Sequence, residues 1–160
     1  MKRGKSYKND LIQYRLESAR EMLRDARLLK ENGGSPVSIV NRAYYSVFYA
    51  ALALLVTEDI EPNKHTGVLA KFDELFIRQG IFPKEMSRII HHAFDMRQAG
   101  DYQKSKVITE EEAIEVLNSA FTLIFKKRIN ASTSARRFSG RADNSRRMVC
   151  SKFVMAHLFL

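Results

Sequence analysis

The sequence has almost no cysteine, and this excludes two common ways of stabilising a small protein. Cys150 is the single cysteine among 160 residues, and no Cys and His residues are spaced as in a zinc site. A disulfide framework and a structural metal are therefore excluded. Apolar residues make up 45% of the chain, which is enough to fill the core of one domain by packing alone. We predict no metal and no cofactor.

The chain also lacks the motifs of common enzymes and of membrane or secreted proteins. It has no Ser, His and Asp order typical of a hydrolase, no glycine-rich phosphate loop and no paired carboxylates. The basic N-terminus leads into polar residues, and no run reaches the ~20 apolar residues that a membrane span needs. We therefore expect a cytoplasmic protein without a membrane segment, and no motif identifies it as an enzyme.

The positive charge is concentrated at the C-terminal end. The net charge is +9, but residues 1–125 hold 18 Lys and Arg against 17 Asp and Glu, whereas residues 126–160 hold 9 against 1. Residues 129–160 are basic and mostly polar and begin without helical periodicity, which predicts a disordered tail. The alternative is an arm that contacts RNA or DNA phosphates without reading their sequence.

Apolar residues recur at helical spacing through the first 125 residues, and no segment alternates as a strand does. Glycines, prolines and a capping box of Thr109 and Glu112 separate five predicted helices. These helices cover residues 10–31, 37–56, 65–78, 83–98 and the segment from residue 110 onwards. The second helix is apolar around most of its circumference, so we expect it at the centre of an all-α bundle.

One cation interrupts the apolar stripe of the fourth helix. On a helical wheel Arg97 falls beside Met86 and Ala93, at the centre of that stripe, so its side chain should face inward. A buried charge needs a counter-ion or a cleft open to water and ligand. Asp101, four residues later, is the nearest candidate carboxylate. The two residues are therefore either a structural ion pair at the helix end or part of a functional site.

A polar and aromatic stripe marks the second helix. Four of its side chains fall in one sector of the helical wheel: Arg42, Tyr45, Ser46 and Tyr49. A guanidinium there can bind phosphate, and phenol rings can stack on a base. The structural alternative places the tyrosines in the core, with their hydroxyls hydrogen-bonded. His65, at the start of the third helix, is expected to cap that helix or meet solvent and to take no part in chemistry.

Three stretches of the chain resemble the HEPN domains, specifically their small stand-alone prokaryotic branch. The stretches are RAYYSVFYAA at residues 42–51, KHTG at 64–67 and RQAGDY at 97–102, and the resemblance extends over residues 9–128. It implies a four-helix up-and-down bundle with an additional short helix. It also implies a homodimer and, as a partner, a minimal nucleotidyltransferase.

The resemblance further implies chemistry on RNA. Many HEPN proteins are metal-independent ribonucleases in which an Arg is followed closely by a His, and several are toxins of toxin–antitoxin pairs. In this chain Arg97 is followed by Asp101 and Tyr102, with no His within six positions. No imidazole is therefore placed next to Arg97 along the helix to pass a proton to or from a ribose 2′-hydroxyl.

Three functions are left open by these patterns. The first is a module that binds a nucleotide or RNA in a cleft between the second and fourth helices, through Arg42, Tyr45, Tyr49 and Arg97. The second is a ribonuclease toxin whose catalytic residues are Arg97, Asp101 and Tyr102. The third is a non-catalytic module that binds another protein.

The second helix also bears on the oligomeric state, because it has two apolar faces. One face carries Val40, Tyr44, Phe48, Ala51 and Leu55, and the other carries Ile39, Ala43, Val47, Ala50 and Leu54. A helix in a bundle of this size normally keeps one face in water, so the additional apolar face needs a cover. The cover is either the fifth helix of the same chain or the same helix of a second subunit. The resemblance favours the second, and we predict a homodimer.

Overall fold

The computed structural model describes residues 2–102 and 107–125, and these fold into five α-helices with no β-strand among them. The helices are α1 (Lys2–Glu31), α2 (Pro36–Thr57), α3 (His65–Phe72), α4 (Lys84–Tyr102) and α5 (Glu110–Phe125), with a π-helical turn (Asp73–Ile77) after α3. Four helices are long and α3 is short, so the predicted all-α bundle with an additional short helix is confirmed. The described side chains are those of residues 7–101 and 107–124, and the predicted tail of residues 129–160 lies outside the described residues.

α2 is the central helix because it is apolar on nearly all sides, and a side-chain cap defines where it begins. The Ser35 hydroxyl accepts a hydrogen bond from the backbone N–H of Ser38 at 3.2 Å, and Pro36 occupies the first turn, positions at which serine and proline are favoured. Every residue from 50 to 56 is buried. α2 packs against each of the other four helices, so residues on any of its faces meet another part of the chain.

Both apolar faces of α2 are covered within the single chain, which contradicts the physical argument for a second subunit at this helix. Val40, Tyr44 and Leu55 on one face are 0% exposed, and Ala43 and Val47 on the other are at most 1% exposed. The cover from α5 that the sequence offered as the alternative is present, and α1 adds a larger share of it. The homodimer itself stays a prediction, and it would need another surface.

The burial of α2 also bears on membrane insertion. By length and composition alone, α2 is a helix that could cross a membrane, contrary to the expectation that no segment qualifies. Of its apolar 18-residue window, 78% is buried inside the bundle. A core helix of a water-soluble domain has this environment, so α2 is weak evidence for a membrane span. Cytoplasmic localisation stays a prediction.

The sequence locates the start of α5 and misplaces the start of α1. At α5, the backbone N–H of Thr109 donates to the Glu112 carboxylate at 3.0 Å and that of Glu112 donates to the Thr109 hydroxyl at 3.2 Å, so the predicted capping box is confirmed. α1 begins at Lys2 rather than near residue 10. The Lys8 ammonium donates to the backbone carbonyl of Thr57 at 2.8 Å, and this cation at the C-terminal end of α2 anchors the polar first part of α1.

Gly100 lies inside α4 rather than ending it. A Cβ atom on Gly100 would lie 3.0 Å from Cδ1 of Ile108 and 3.1 Å from Cγ1 of Val37, closer than packed carbon atoms usually approach. The glycine therefore serves the close packing of α4 on the start of α2 and on the segment before α5. Because α4 continues past it, Asp101 lies one helical turn after Arg97, within reach of an ion pair.

Candidate functional site

Arg97 lies on the side of α4 that faces α2. Its guanidinium carbon is 5.8 Å from the ring centroid of Tyr44 and 5.6 Å from that of Tyr45, and 14% of its side chain is exposed. A cation at these distances is attracted by the faces of aromatic rings. Two neighbouring tyrosines of α2 therefore hold the charged group at the edge of the bundle, where it still reaches solvent.

Asp101 is a carboxylate partner of Arg97. Nη2 of Arg97 donates to Oδ2 of Asp101 at 3.1 Å, and 26% of the Asp101 side chain is exposed. The pairing is the one that the four-residue spacing predicts. The ion pair fixes the orientation of the guanidinium next to the two tyrosine rings, and the structure leaves a catalytic role for Asp101 as a prediction.

A hydrogen bond between Tyr44 and His65 brings an imidazole to the same place. The Tyr44 hydroxyl oxygen is 2.6 Å from Nδ1 of His65, and the His65 ring stacks on Phe48 with centroids 4.4 Å apart. The expectation that His65 only caps α3 or meets solvent is therefore wrong. Since Tyr44 also contacts Arg97, we define the Arg97 cluster as five residues: Arg97, Asp101, Tyr44, Tyr45 and His65.

The surroundings favour the neutral forms of Tyr44 and His65. Burial raises the pKa of the Tyr44 phenol far above its ordinary value, although the charge of Arg97 opposes this, so the hydroxyl keeps its proton. Burial and then the charge of Arg97 lower the pKa of His65 below its ordinary value of 6.5. The imidazole is thus uncharged at pH 7. Nε2 is the proton acceptor of this ring when Nδ1–H donates to the Tyr44 oxygen, and it carries the proton when the Tyr44 hydroxyl donates to Nδ1.

The two tyrosines of the predicted stripe contact different cations. Tyr45 lies beside Arg97, whereas Tyr49, one turn further along α2, lies 5.8 Å from the guanidinium carbon of Arg15 on α1. The two tyrosine rings are 6.1 Å apart, and both side chains are half-buried. The stripe therefore extends from the Arg97 cluster toward α1.

Three other predicted residues lie apart from this arrangement or outside it. Arg42 is exposed and donates to the sulfur of Met22 on α1 at 3.4 Å, with no described contact to Arg97, so the structure gives no support for Arg42 as a ligand of the same phosphate. The hydroxyl of Ser46 is buried and donates to the backbone carbonyl of Ala43 at 2.7 Å. The side chain of Tyr102 lies outside the described side chains.

Sequence patterns missed Tyr44 and His65 because their relation is tertiary. Tyr44 falls on an apolar face of α2 and is fully buried, which a helical wheel predicts, but the wheel does not identify the partner of its hydroxyl. One signal was available, since a buried tyrosine usually has a hydrogen-bond partner. The His in the KHTG stretch, at the start of the next helix, is a candidate for that partner.

Comparison with known proteins identifies similar chains in bacteria and archaea. A family model described as the HEPN domain matches residues 12–129. A Thermotoga maritima protein named "UPF0332 protein" is 37% identical over 113 residues, which are 71% of this chain and 85% of the relative. A Methanocaldococcus jannaschii protein named "Putative toxin MJ0605" is 38% identical over 109 residues, which are 68% of this chain and 80% of the relative.

Proposed function

Since the chain belongs to the HEPN domain family, we propose that its Arg97 cluster binds RNA or a nucleotide. The observation that carries this proposal is the Arg97 guanidinium, which lies against the rings of Tyr44 and Tyr45 while part of its side chain stays exposed. A guanidinium is well suited to phosphate because of its planar set of donors. The half-buried ring of Tyr45 offers a surface on which a base can stack.

The names of relatives support a biological role for such binding. The relative from Methanocaldococcus jannaschii described above carries the name "Putative toxin MJ0605", and several members of the HEPN family are toxins of toxin–antitoxin pairs. We propose that this chain is the toxin of such a pair, with a minimal nucleotidyltransferase as its partner. Co-purification of the two proteins, expressed together, would support the pairing.

We expect Arg97→Ala to weaken the binding of short single-stranded RNA by about 10- to 100-fold, because hydrogen bonds to a charged group contribute roughly 1.5–3 kcal/mol. Fluorescence anisotropy of labelled RNA measures the change. The matched control is Arg88→Ala, which removes the same charge from an exposed position of α4. Equal binding by wild type and Arg97→Ala would remove Arg97 from the site.

A second function, metal-independent ribonuclease activity, is favoured by His65. The sequence has no His shortly after Arg97, which disfavours catalysis. In the fold, however, a hydrogen bond to Tyr44 brings His65 into the Arg97 cluster. When Nδ1–H of the neutral imidazole donates to the Tyr44 oxygen, Nε2 is unprotonated and can accept the proton of a ribose 2′-hydroxyl, while Arg97 can stabilise the charge that develops on the phosphate. In this mechanism His65 takes the role that the sequence assigned to Asp101 and Tyr102.

We also propose that the chain is a homodimer, on the basis of the HEPN resemblance. The dimer surface would lie away from α2, whose faces are buried in the chain itself. Light scattering over a dilution series should give about twice the chain mass of 18.4 kDa. A mass that stays near 18.4 kDa at all concentrations would contradict the dimer.

A further inference from the structure

A cavity of about 250 Å³ lies between α1, the C-terminal half of α2 and the segment that leads into α3. Its polar lining residues include Arg15, Glu61, Asn63 and His65. His65 also belongs to the Arg97 cluster, so the cavity adjoins that cluster. We call it the Arg15 cavity, after the arginine in its lining.

Arg15 has no carboxylate partner among the described residues. Its Nε atom is buried without a hydrogen bond, and its guanidinium carbon lies 5.7 Å from the ring centroid of Tyr14 and 5.8 Å from that of Tyr49. Contacts with ring faces replace only part of the hydration that a guanidinium loses on burial. A half-buried cation held in this way is costly for the fold, and it is a candidate for ligand binding.

Among the described residues, the nearby carboxylates make no ion pair with Arg15. Glu17, two residues along α1, pairs instead with Arg20 at 3.0 Å. Glu61 lines the Arg15 cavity as an exposed side chain, and no described ion pair joins it to Arg15. The donors of Arg15 are therefore not taken up by a carboxylate and suit an anionic ligand, although the exposed Glu61 adds one negative charge to the same lining.

Tyr45 and Tyr49 connect this cavity to the Arg97 cluster along α2. Their ring centroids are 6.1 Å apart, with the guanidinium of Arg97 at 5.6 Å from the first ring and that of Arg15 at 5.8 Å from the second. Proteins hold single-stranded nucleic acids on such surfaces, with cations on the phosphates and aromatic rings against the bases. Tyr45 and Tyr49 are one helical turn apart on α2. The two arginines that they contact therefore follow each other along the axis of α2.

From this juxtaposition we infer that the Arg15 cavity binds a second phosphate of the RNA that the Arg97 cluster holds. The ligand is then a single-stranded oligonucleotide rather than a mononucleotide. The inference rests on the proposed function, because it takes the first phosphate to be at Arg97. His65 borders both sites, so its imidazole lies near the sugar–phosphate backbone between the two phosphates. Free inorganic phosphate presents the same chemistry and is the competing source of the anion.

The test compares Arg15→Gln with Arg24→Gln, which removes the same charge from an exposed position of α1. Binding of adenosine monophosphate, inorganic phosphate and single-stranded RNA oligonucleotides of increasing length is measured by calorimetry. We expect Arg15→Gln to weaken oligonucleotide binding about tenfold and to leave mononucleotide binding unchanged. It should also reduce the salt slope of log K by roughly 0.7, the contribution of one phosphate contact on a single strand. Arg24→Gln should change neither.

The outcomes separate this inference from the proposed function. If Arg15→Gln binds oligonucleotides like Arg24→Gln while Arg97→Ala loses them, the second phosphate site is refuted and the first stands. If Arg97→Ala binds normally, the proposed function fails, and with it the inference of a second phosphate site next to the Arg97 cluster. If Arg15→Gln abolishes the binding of inorganic phosphate but not of oligonucleotides, the cavity binds free phosphate rather than RNA, and the inference is overturned.

A second variant keeps the test decisive if Arg15→Gln does not fold. Arg15→Lys retains the charge and loses the planar set of donors that grips phosphate at two points. We expect it to fold, because a lysine can keep its apolar stem against Tyr49. It should bind oligonucleotides more weakly than wild type and mononucleotides equally well. Wild-type affinity for both ligands in Arg15→Lys would count against a phosphate held by the guanidinium.

Discussion

Replacing Tyr44 by Ala is expected to lower the free energy of unfolding by about 3–5 kcal/mol, as for other large aromatic residues truncated in a core. The side chain is 0% exposed, and its ring centroid lies within 5.9 Å of those of Tyr45, Phe48 and Phe94. Truncation leaves a cavity that the surrounding rings fill only in part. Urea denaturation followed by circular dichroism should show a lower midpoint with an unchanged m value.

Tyr44→Phe is the matched control, since it removes the hydroxyl and keeps the ring. It should cost about 1 kcal/mol, because the hydrogen bond to His65 is lost while the packing is retained. The difference between the two variants therefore measures the contribution of the ring. If Tyr44→Ala is as stable as Tyr44→Phe, the ring is not part of the core.

The features of this fold that could be predicted from the sequence are local ones. The cap of α2 at Ser35 and the capping box at Thr109 each involve residues three positions apart, and the Arg97–Asp101 pair spans one helical turn. The periodicity of apolar residues likewise identifies which positions of each helix are buried. These signals are sufficient for an all-α bundle with α2 at its centre and for an inward Arg97.

The features that the sequence did not predict depend on which helices are neighbours. A helical wheel shows that Tyr44 is buried, but its bond to His65 joins residues 21 positions apart. A glycine such as Gly100 often ends a helix. Only the side chains of Val37 and Ile108, which lie close to its Cα atom, show that it serves packing instead. The contact of Arg42 is likewise tertiary, because its guanidinium meets Met22 of α1, and a ligand-binding role for Arg42 stays a prediction.

The argument for a dimer at α2 shows how topology overrides a surface rule. The rule that a bundle helix keeps one face in water holds for helices at the periphery. α2 is surrounded by α1, α3, α4 and α5, so two apolar faces are what its position requires. The same central position makes α2 the element that connects the cations of α1 and α4 through its tyrosines.

If the chain is a ribonuclease, His65→Ala should lower the rate of RNA cleavage by about 10²- to 10⁴-fold, the usual contribution of a general acid or base. The assay uses transfer RNA with EDTA present, so that contaminating metal-dependent nucleases are inactive. His92→Ala is the control, because His92 is exposed on α4. A large loss in Asp101→Ala without loss in His65→Ala would return catalysis to Asp101. A wild type that cleaves no RNA would leave binding as the function.

The mechanism predicts how the rate of RNA cleavage changes with pH. A general base must be unprotonated, so cleavage should fall as the pH drops through the pKa of His65, which burial and the charge of Arg97 hold below 6.5. In Arg97→Ala one of these causes is removed, and the pKa of His65 should rise toward its ordinary value. NMR titration of the imidazole protons measures this even in a variant that does not cleave. An unchanged titration would place His65 outside the field of Arg97, and a rate that rises on acidification would make the protonated imidazole the reactive form.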